Sequence, residues 1–213
     1  MKKILTATLL SATVLASAAN AEVSYYTQFN VGASKALSTQ YHAARNDNKN
    51  TIEYNGELGY SAVLGAEFGA KLADHFRLGV SVDYRPEYSN DFKYNSDVTL
   101  KTSSLATMAN AYFDITETSN GFTPYLTAGA GMAFNEQKIT AYEKDLGAKK
   151  TSGFAWKAGL GTKVKLSDSF DMDIRYQFVD LGKVELQPEE GWTTTKSAKL
   201  KANEVLVGLA YRF

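Results

Sequence analysis

Eight segments of this 213-residue chain alternate, one position at a time, between apolar or small residues and polar residues or glycine. Successive side chains of a β-strand point to opposite faces, so each segment predicts a strand with one apolar face and one polar face. The segments are 25–33, 64–72, 76–84, 105–113, 126–134, 154–166, 170–178 and 205–213. The pattern predicts an all-β protein built from eight two-faced strands.

The connections between these strands alternate between short and long. Those at 73–75, 115–122 and 167–169 are short. The four long connections are 37–56, 89–99, 136–152 and 186–198. Short turns on one side and long loops on the other are typical of a bacterial outer-membrane barrel, whose long loops are extracellular. The sequence therefore predicts an eight-stranded antiparallel transmembrane β-barrel with short periplasmic turns, long extracellular loops and both termini in the periplasm.

A water-soluble eight-stranded barrel would turn the same apolar faces inward, as lipocalin-like binding proteins do. The sequence favours the membrane barrel, because its charged residues lie almost entirely on the polar faces. Aromatic residues also mark both ends of the apolar bands, as expected at two membrane interfaces. They are Tyr25, Phe76, Phe113, Phe170, Tyr211 and Phe213 at one end, and Tyr60, Tyr84, Phe134, Phe154 and Trp156 at the other.

The N-terminus has the pattern of a bacterial secretory signal peptide. Two lysines precede an apolar stretch over 4–18, and the Ala-Asn-Ala sequence at 19–21 has the form of a cleavage site. An uncleaved membrane anchor is the alternative, but the apolar stretch is shorter than the roughly 20 residues that a spanning helix needs. We therefore predict a signal peptide over 1–21 and a barrel domain over 22–213.

Four segments carry a family resemblance: 108–114, 123–131, 174–182 and the terminal strand. With the signal peptide and the strand number, they resemble small outer-membrane barrels of the OmpA/OmpX type, and among these the opacity-type surface antigens and rickettsial-type adhesins. The resemblance implies exposure at the cell surface and, as in some members, adhesion to host cells or antigenic variation. It also implies that Leu209, Tyr211 and Phe213 form a C-terminal assembly signal recognised by the barrel-assembly machinery.

The composition contains few residues suited to catalysis or metal binding. The chain has no cysteine, only two histidines, and equal numbers of basic and acidic residues, 23 of each, so thiol chemistry and a nucleic-acid partner are not expected. His42 with Ser38 or Asp47 is the one enzymatic candidate, and it is weak. The Gly-Ala-Gly and Gly-Leu-Gly motifs at 129–131 and 159–161 lack the third glycine of a nucleotide-binding loop and are predicted to make space inside the barrel. We assign no catalytic residue, cofactor or metal ligand.

The charged residues of the polar faces are predicted to project into the lumen. A selective pore is one interpretation, and an interlocked ion-pair plug is the other. Mixed signs in near balance favour the plug, because isolated buried charges are costly and a barrel of eight strands is just wide enough for its own side chains. The predicted network contains Glu67, Lys71, Arg77, Asp83, Arg85, Asp171, Asp173, Arg175, Glu204 and Arg212, with Asp114, Lys157, Lys163 and Lys165 on the same faces.

The loop residues are less constrained than strand residues, which must suit lipid or lumen and pair with a neighbouring strand. Within the loops, Tyr41, Arg45 and Trp192 are residue types suited to binding a protein or glycan surface. We therefore predict a monomeric outer-membrane surface protein of the adhesin or surface-antigen kind. Its loops would contact host or neighbouring-cell surfaces or support the envelope, and outer-membrane lipids and lipopolysaccharide would surround it. The alternative function is a small porin, channel or transport barrel.

Overall fold

The structure is a computed structural model that describes residues 23–37, 39–45, 48–56, 59–91, 98–116, 118, 121–141, 144–185 and 197–213. The predicted signal peptide lies outside these residues. In the described part of the chain, no helix is long and apolar enough to cross a membrane. The strands are β1 (Ser24–Ala36), β2 (Thr39–Arg45), β3 (Asn48–Gly56), β4 (Tyr60–Ala73), β5 (Phe76–Asp91), β6 (Val98–Asp114), β7 (Phe122–Ala141), β8 (Lys144–Lys165), β9 (Phe170–Glu185) and β10 (Ser197–Arg212).

Eight of these strands, β1 and β4 to β10, form a closed antiparallel barrel in which each strand pairs with its neighbours in the chain. The last strand closes the sheet against the first, with Phe29 opposite Leu209, and the Phe213 amide donates to the Tyr25 carbonyl oxygen at 3.1 Å. The predicted eight-stranded barrel is therefore confirmed. Both termini of the described chain lie at one end of the barrel, which we call the terminal end; the opposite end is the distal end.

Of the connections predicted to be long loops, one consists largely of strand and a second is shortened by strand at both ends. β7 continues to Ala141 and β8 begins at Lys144, with Glu136 opposite Lys150, so the predicted loop over 136–152 is wrong. β5 and β6 likewise extend into 89–99. The apolar alternation disappears there although the hydrogen-bonded ladder continues, because outward positions beyond the apolar band carry polar side chains. These strands continue beyond the apolar band and form a β-sheet extension at the distal end, which we call the distal wall.

The predicted connection over 37–56 also contains secondary structure. β2 and β3 pair antiparallel as a separate two-stranded sheet, with Tyr41 opposite Tyr54. At the base of this hairpin, the Leu37 amide donates to the Lys201 carbonyl oxygen of β10 at 2.8 Å. The hairpin is therefore joined to the barrel wall on the β10 side.

The barrel wall has the two faces that the alternation predicts. Large apolar side chains on the outer face are exposed, as in Phe29 (67% exposed) and Leu160 (58%), whereas their neighbours in the strand point into the lumen. Both predicted sets of aromatic residues lie on the outer face. At the terminal end, the Phe213 ring lies between those of Tyr25, Phe68 and Tyr211, with centroids 6.0–6.4 Å apart.

The lumen changes character along the barrel axis. Its terminal and middle parts are lined mainly by polar and charged side chains. Its distal part contains an apolar cluster, which we call the distal core, beside buried polar side chains such as Thr102, Asn135 and Gln137. The distal core consists of Ala36, Tyr88, Ala106, Met108, Ala133, Ala155, Val179, Leu181, Val184, Leu200 and Ala202. The distal end of the lumen is therefore filled largely by apolar side chains.

Candidate functional site

The lumen holds a buried ion pair between Arg85 on β5 and Glu204 on β10, and both side chains are fully buried. Arg85 donates from Nε to Glu204 Oε1 at 2.6 Å and from Nη2 to Oε2 at 3.0 Å, the two-pronged geometry of the strongest ion pairs. Glu204 also accepts hydrogen bonds from Ser34 at 2.9 Å and Gln177 at 2.7 Å. All four groups come from different strands, so this layer joins β1, β5, β9 and β10 across the lumen.

A second ion pair crosses the lumen between Lys157 and Asp83. Lys157 Nζ lies 3.3 Å from Asp83 Oδ2, and both side chains are buried. Ser81 Oγ lies 3.3 Å from the same ammonium group and donates to Asp83 at 3.2 Å. The strands involved, β5 and β8, are not neighbours in the sheet, so the pair also braces the barrel across its interior.

The carboxylate of Glu67 is held by hydroxyl and amide groups. It accepts hydrogen bonds from Tyr26 at 2.7 Å, Tyr112 at 2.6 Å and Asn110 at 2.9 Å. Arg175 donates from Nη1 to the same Tyr112 hydroxyl at 2.9 Å. Tyr112 therefore links the Glu67 carboxylate to the Arg175 guanidinium, and neither group makes an ion pair with any other described residue.

Tyr26, Tyr112 and Tyr125 form a layer that the sequence reasoning missed. Tyr125 donates to Asp173 at 2.7 Å, and the Arg77 guanidinium lies over all three rings, 4.4–5.7 Å from their centroids. Two of these tyrosines have a glycine directly opposite on the adjacent strand: Tyr26 faces Gly69 and Tyr125 faces Gly161.

A Cβ atom at either of these glycines would collide with the facing tyrosine ring. The space that the Gly-Leu-Gly motif provides in the lumen is therefore filled by Tyr125. An aromatic residue on a polar strand face opposite a glycine is the signal that could have identified this layer from the sequence.

The terminal mouth of the lumen is more open and rich in charge. Asp114 forms ion pairs with both Arg77 (N···O distance 2.8 Å) and Lys163 (3.0 Å). Arg212 forms an ion pair with Asp171 at 3.1 Å. Lys71 is half-buried beside these groups and makes no ion pair within the described ranges. Lys165 lies at the exposed rim, where it pairs with Asp168 at 3.0 Å.

The predicted lumen residues thus fall into separate layers. Arg85–Glu204, Asp83–Lys157, Arg77–Asp114 and Arg212–Asp171 are ion pairs. Glu67, Asp173 and Arg175 are connected through tyrosines. These layers and the distal core occupy the lumen, an arrangement suited to bracing a barrel.

The outer surface of the distal wall is rich in lysine. Lys101 and Lys138 stand directly opposite each other on β6 and β7, and Lys150 on β8 lies 3.5 Å from Glu136. We call Lys101, Lys138 and Lys150 the distal lysine cluster. Its acidic partners are Glu136, shared by Lys138 (3.6 Å) and Lys150, and Glu87, 3.1 Å from Lys101.

The predicted loop contacts are largely outside what the structure describes. Tyr41 and Arg45 lie on β2, where the backbone alone is described, and Trp192 lies outside the described residues, as do Ser38 and Asp47. His75 lies at the terminal end, with Nδ1 2.8 Å from the Asp114 carbonyl oxygen. Among the described residues, no group of three or more His, Cys, Asp or Glu is placed to hold a metal ion.

An apolar outer face, aromatic residues near both ends of the apolar band and a polar, filled lumen define an integral outer-membrane β-barrel protein. The chain belongs to the outer membrane protein beta-barrel domain family, whose model matches residues 4–213. It is therefore an outer-membrane protein. The two longest connections between barrel strands, β1 to β4 and β9 to β10, both lie at the distal end, so we expect the distal end to face the cell exterior and the terminal end to face the periplasm.

Comparison with known proteins gives one curated relative and several structural neighbours. The outer membrane protein PagN of Salmonella typhimurium is 29% identical over 116 residues, which are 50% of this chain and 48% of PagN. The matched region spans about half the length of this relative. Among solved structures, Neisserial surface protein A is 16% identical with a TM-score of 0.56, covering 91% of this chain and 100% of that one.

The same fold also occurs in an enzyme. The outer membrane protease OmpT of Escherichia coli is 7% identical with a TM-score of 0.55, and the match covers 92% of this chain and 100% of that one. Identities this low establish a shared fold and nothing more. The function must therefore be argued from the residues of this chain.

The terminal strand suggests a test of assembly. Phe213 packs on Tyr25, Phe68 and Tyr211 at the seam between β1 and β10. We expect deletion of Phe213 to lower the amount of folded protein in the outer membrane, because the residue both closes the seam and would be recognised during insertion. Fractionation with unheated electrophoresis measures this, and Phe213→Tyr is the control; normal insertion of the deleted chain would contradict the assembly signal.

Proposed function

We propose that this protein is a non-catalytic surface protein whose extracellular wall attaches the cell to anionic surfaces, in particular acidic glycans of host cells. The observation that carries the proposal is the distal lysine cluster. Among the described residues, three lysines on neighbouring strands share two carboxylates there, so positive charge exceeds negative charge on this part of the sheet.

The geometry of the cluster supports attachment more than stabilisation. Lys101 and Lys138 face each other across one strand pair, and like charges directly opposite destabilise a sheet. Their ion pairs are solvent-exposed, as in Lys101–Glu87, where the side chains are 46% and 41% exposed. Exposed pairs of this kind add little to folding, so the lysines remain free to exchange partners with an external anion.

The filled lumen argues against the alternative of a channel. Buried ion pairs, the tyrosine layer and the distal core occupy the barrel from its middle to its outer end. A solute would have to break these contacts to pass. An outer surface supported by such an interior is better suited to binding than to conduction.

The loops extend the same proposal. Tyr41, Arg45 and Trp192 remain predicted contact residues, and β2 and β3 would carry the first two next to the β10 side of the wall. The identity with the outer membrane protein PagN over half of each chain supports display in the outer membrane.

We test the proposal with the triple variant Lys101→Gln, Lys138→Gln and Lys150→Gln, displayed on cells that otherwise do not adhere. Each exposed charge contact contributes about 0.2–1 kcal/mol, so attachment to glycan-bearing cells should fall roughly threefold to a hundredfold. Rising salt should weaken attachment by the parent protein and have less effect on the variant.

The matched control is the triple lysine-to-arginine variant, which keeps the charge and should keep attachment. Equal amounts of folded barrel are verified by unheated electrophoresis. Unchanged attachment by the glutamine variant would refute the lysine cluster. If substitution of Tyr41, Arg45 and Trp192 abolished attachment instead, the contact would belong to the loops. Steady conductance by the purified protein in planar bilayers would favour the channel.

A further inference from the structure

The periplasmic mouth of the lumen contains a cavity of about 280 Å³. All eight barrel strands contribute to its lining, together with the β4–β5 turn and the start of the β6–β7 connection. Toward the cell exterior the lumen is filled by the tyrosine layer and the ion pairs. The cavity is therefore a blind recess that a molecule can enter from the periplasm.

Positive charge exceeds negative charge in this recess. Five cationic side chains line it, against three carboxylates, those of Asp74, Asp114 and Asp171. Arg77 and Lys163 share the single carboxylate of Asp114. The cations are Lys71, Arg77, Lys163, Lys165 and Arg212.

The strand register places two of these cations opposite each other, which lowers the stability of the sheet. Lys71 on β4 stands directly opposite Arg77 on β5, and like charges in that relation destabilise a sheet. Asp114 is already occupied by Arg77 and Lys163, and Asp171 is paired with Arg212. Lys71, which has no ion pair among the described residues, therefore lies beside Arg77 and faces the same recess. This arrangement is expected where an external anion completes the charge balance.

We propose that the periplasmic recess binds a small anion bearing carboxylate or phosphate groups, held between Lys71 and the Arg77–Lys163 pair. Arginine and lysine are the residues that recognise such groups, the first through its planar fork and the second as a mobile point charge. The volume suits a small molecule or a headgroup rather than a folded partner. The site is separate from the extracellular lysine cluster, so it does not depend on the proposed adhesion.

Calorimetric titration of the folded protein in neutral detergent at low ionic strength tests the site. The probes are pyrophosphate and citrate, which separate a phosphate source from a carboxylate source. We expect saturable binding of at least one probe, and Lys71→Gln should weaken it about tenfold, the effect of losing one charged hydrogen bond. Lys183→Gln, which removes the same charge from an exposed position on β9 outside both the recess and the distal lysine cluster, is the matched control and should leave the affinity unchanged.

A second readout comes from the stability of the unliganded protein. Because Lys71 faces Arg77 and has no ion pair in the described chain, Lys71→Gln should unfold at the same denaturant concentration as the parent, or a higher one. A lower midpoint would mean that Lys71 serves the fold, and would overturn the proposal. The proposal would also be overturned if neither probe bound saturably, or if Lys71→Gln and Lys183→Gln weakened binding equally.

Discussion

Replacement of Arg85 with leucine is expected to lower the free energy of unfolding by about 3–5 kcal/mol. The substitution leaves Glu204 with Ser34 and Gln177 as hydrogen-bond donors but without its cation, in a part of the lumen where its side chain is fully buried. An uncompensated carboxylate in that position costs far more than the ion pair itself contributes. Urea unfolding of the purified barrel in detergent or lipid vesicles, followed by tryptophan fluorescence, measures the change.

The double variant Arg85→Leu with Glu204→Leu separates the two effects. It removes both charges, so most of the lost stability should return. Lys101→Leu serves as the exposed control, because the Lys101–Glu87 pair is about half exposed and should be worth no more than about 1 kcal/mol. Equal losses for Arg85→Leu and Lys101→Leu would show that burial of the lumen pair has no energetic consequence.

Leu209→Arg should destabilise the barrel by about 2–4 kcal/mol if Leu209 lies near the middle of the bilayer. Leu209 points outward at the β1–β10 seam, within the apolar band, and lies between Phe29 and Met172 in the register. An arginine there must place its guanidinium in hydrocarbon or distort the bilayer to reach water. Unfolding in lipid vesicles is the appropriate measurement, since detergent hides part of the penalty.

Asn203→Arg is the matched control for this substitution. Asn203 lies on the same strand and in the same alternation as Leu209, six positions nearer the cell exterior and opposite Lys35. The penalty for a charge falls toward zero near the membrane interface, so Asn203→Arg should cost at most about 1 kcal/mol. Equal costs at the two positions would mean that Leu209 does not face lipid.

The membrane-embedded part of the fold could be predicted from the sequence because lipid constrains every strand there in the same way. Outward positions such as Phe29, Leu160 and Leu209 must be apolar, and closure of the barrel then follows from the number of strands. The constraint ends at the membrane surface. Beyond it, residues such as Glu136 and Lys150 pair in a ladder without any apolar period, so β7 and β8 continue where a loop was predicted.

The lumen was predictable in composition but not in its contacts. Alternation identifies which residues point inward, yet the partner of an inward residue lies across the barrel and depends on strand tilt and stagger. Arg85 and Glu204 are 119 positions apart and on strands that do not pair. Arg175 was expected to neutralise a carboxylate directly, whereas it reaches Glu67 only through Tyr112.

The distal core affects which parts of the sequence can vary during evolution. All of its described members lie in strands, and they pack together inside the distal part of the barrel. We therefore expect the scaffold to tolerate exchanges of sequence or length between β5 and β6, or between β9 and β10. Such tolerance would allow these connections to change under selection by antibodies with little loss of stability, and would make them suitable places to graft foreign peptides for display.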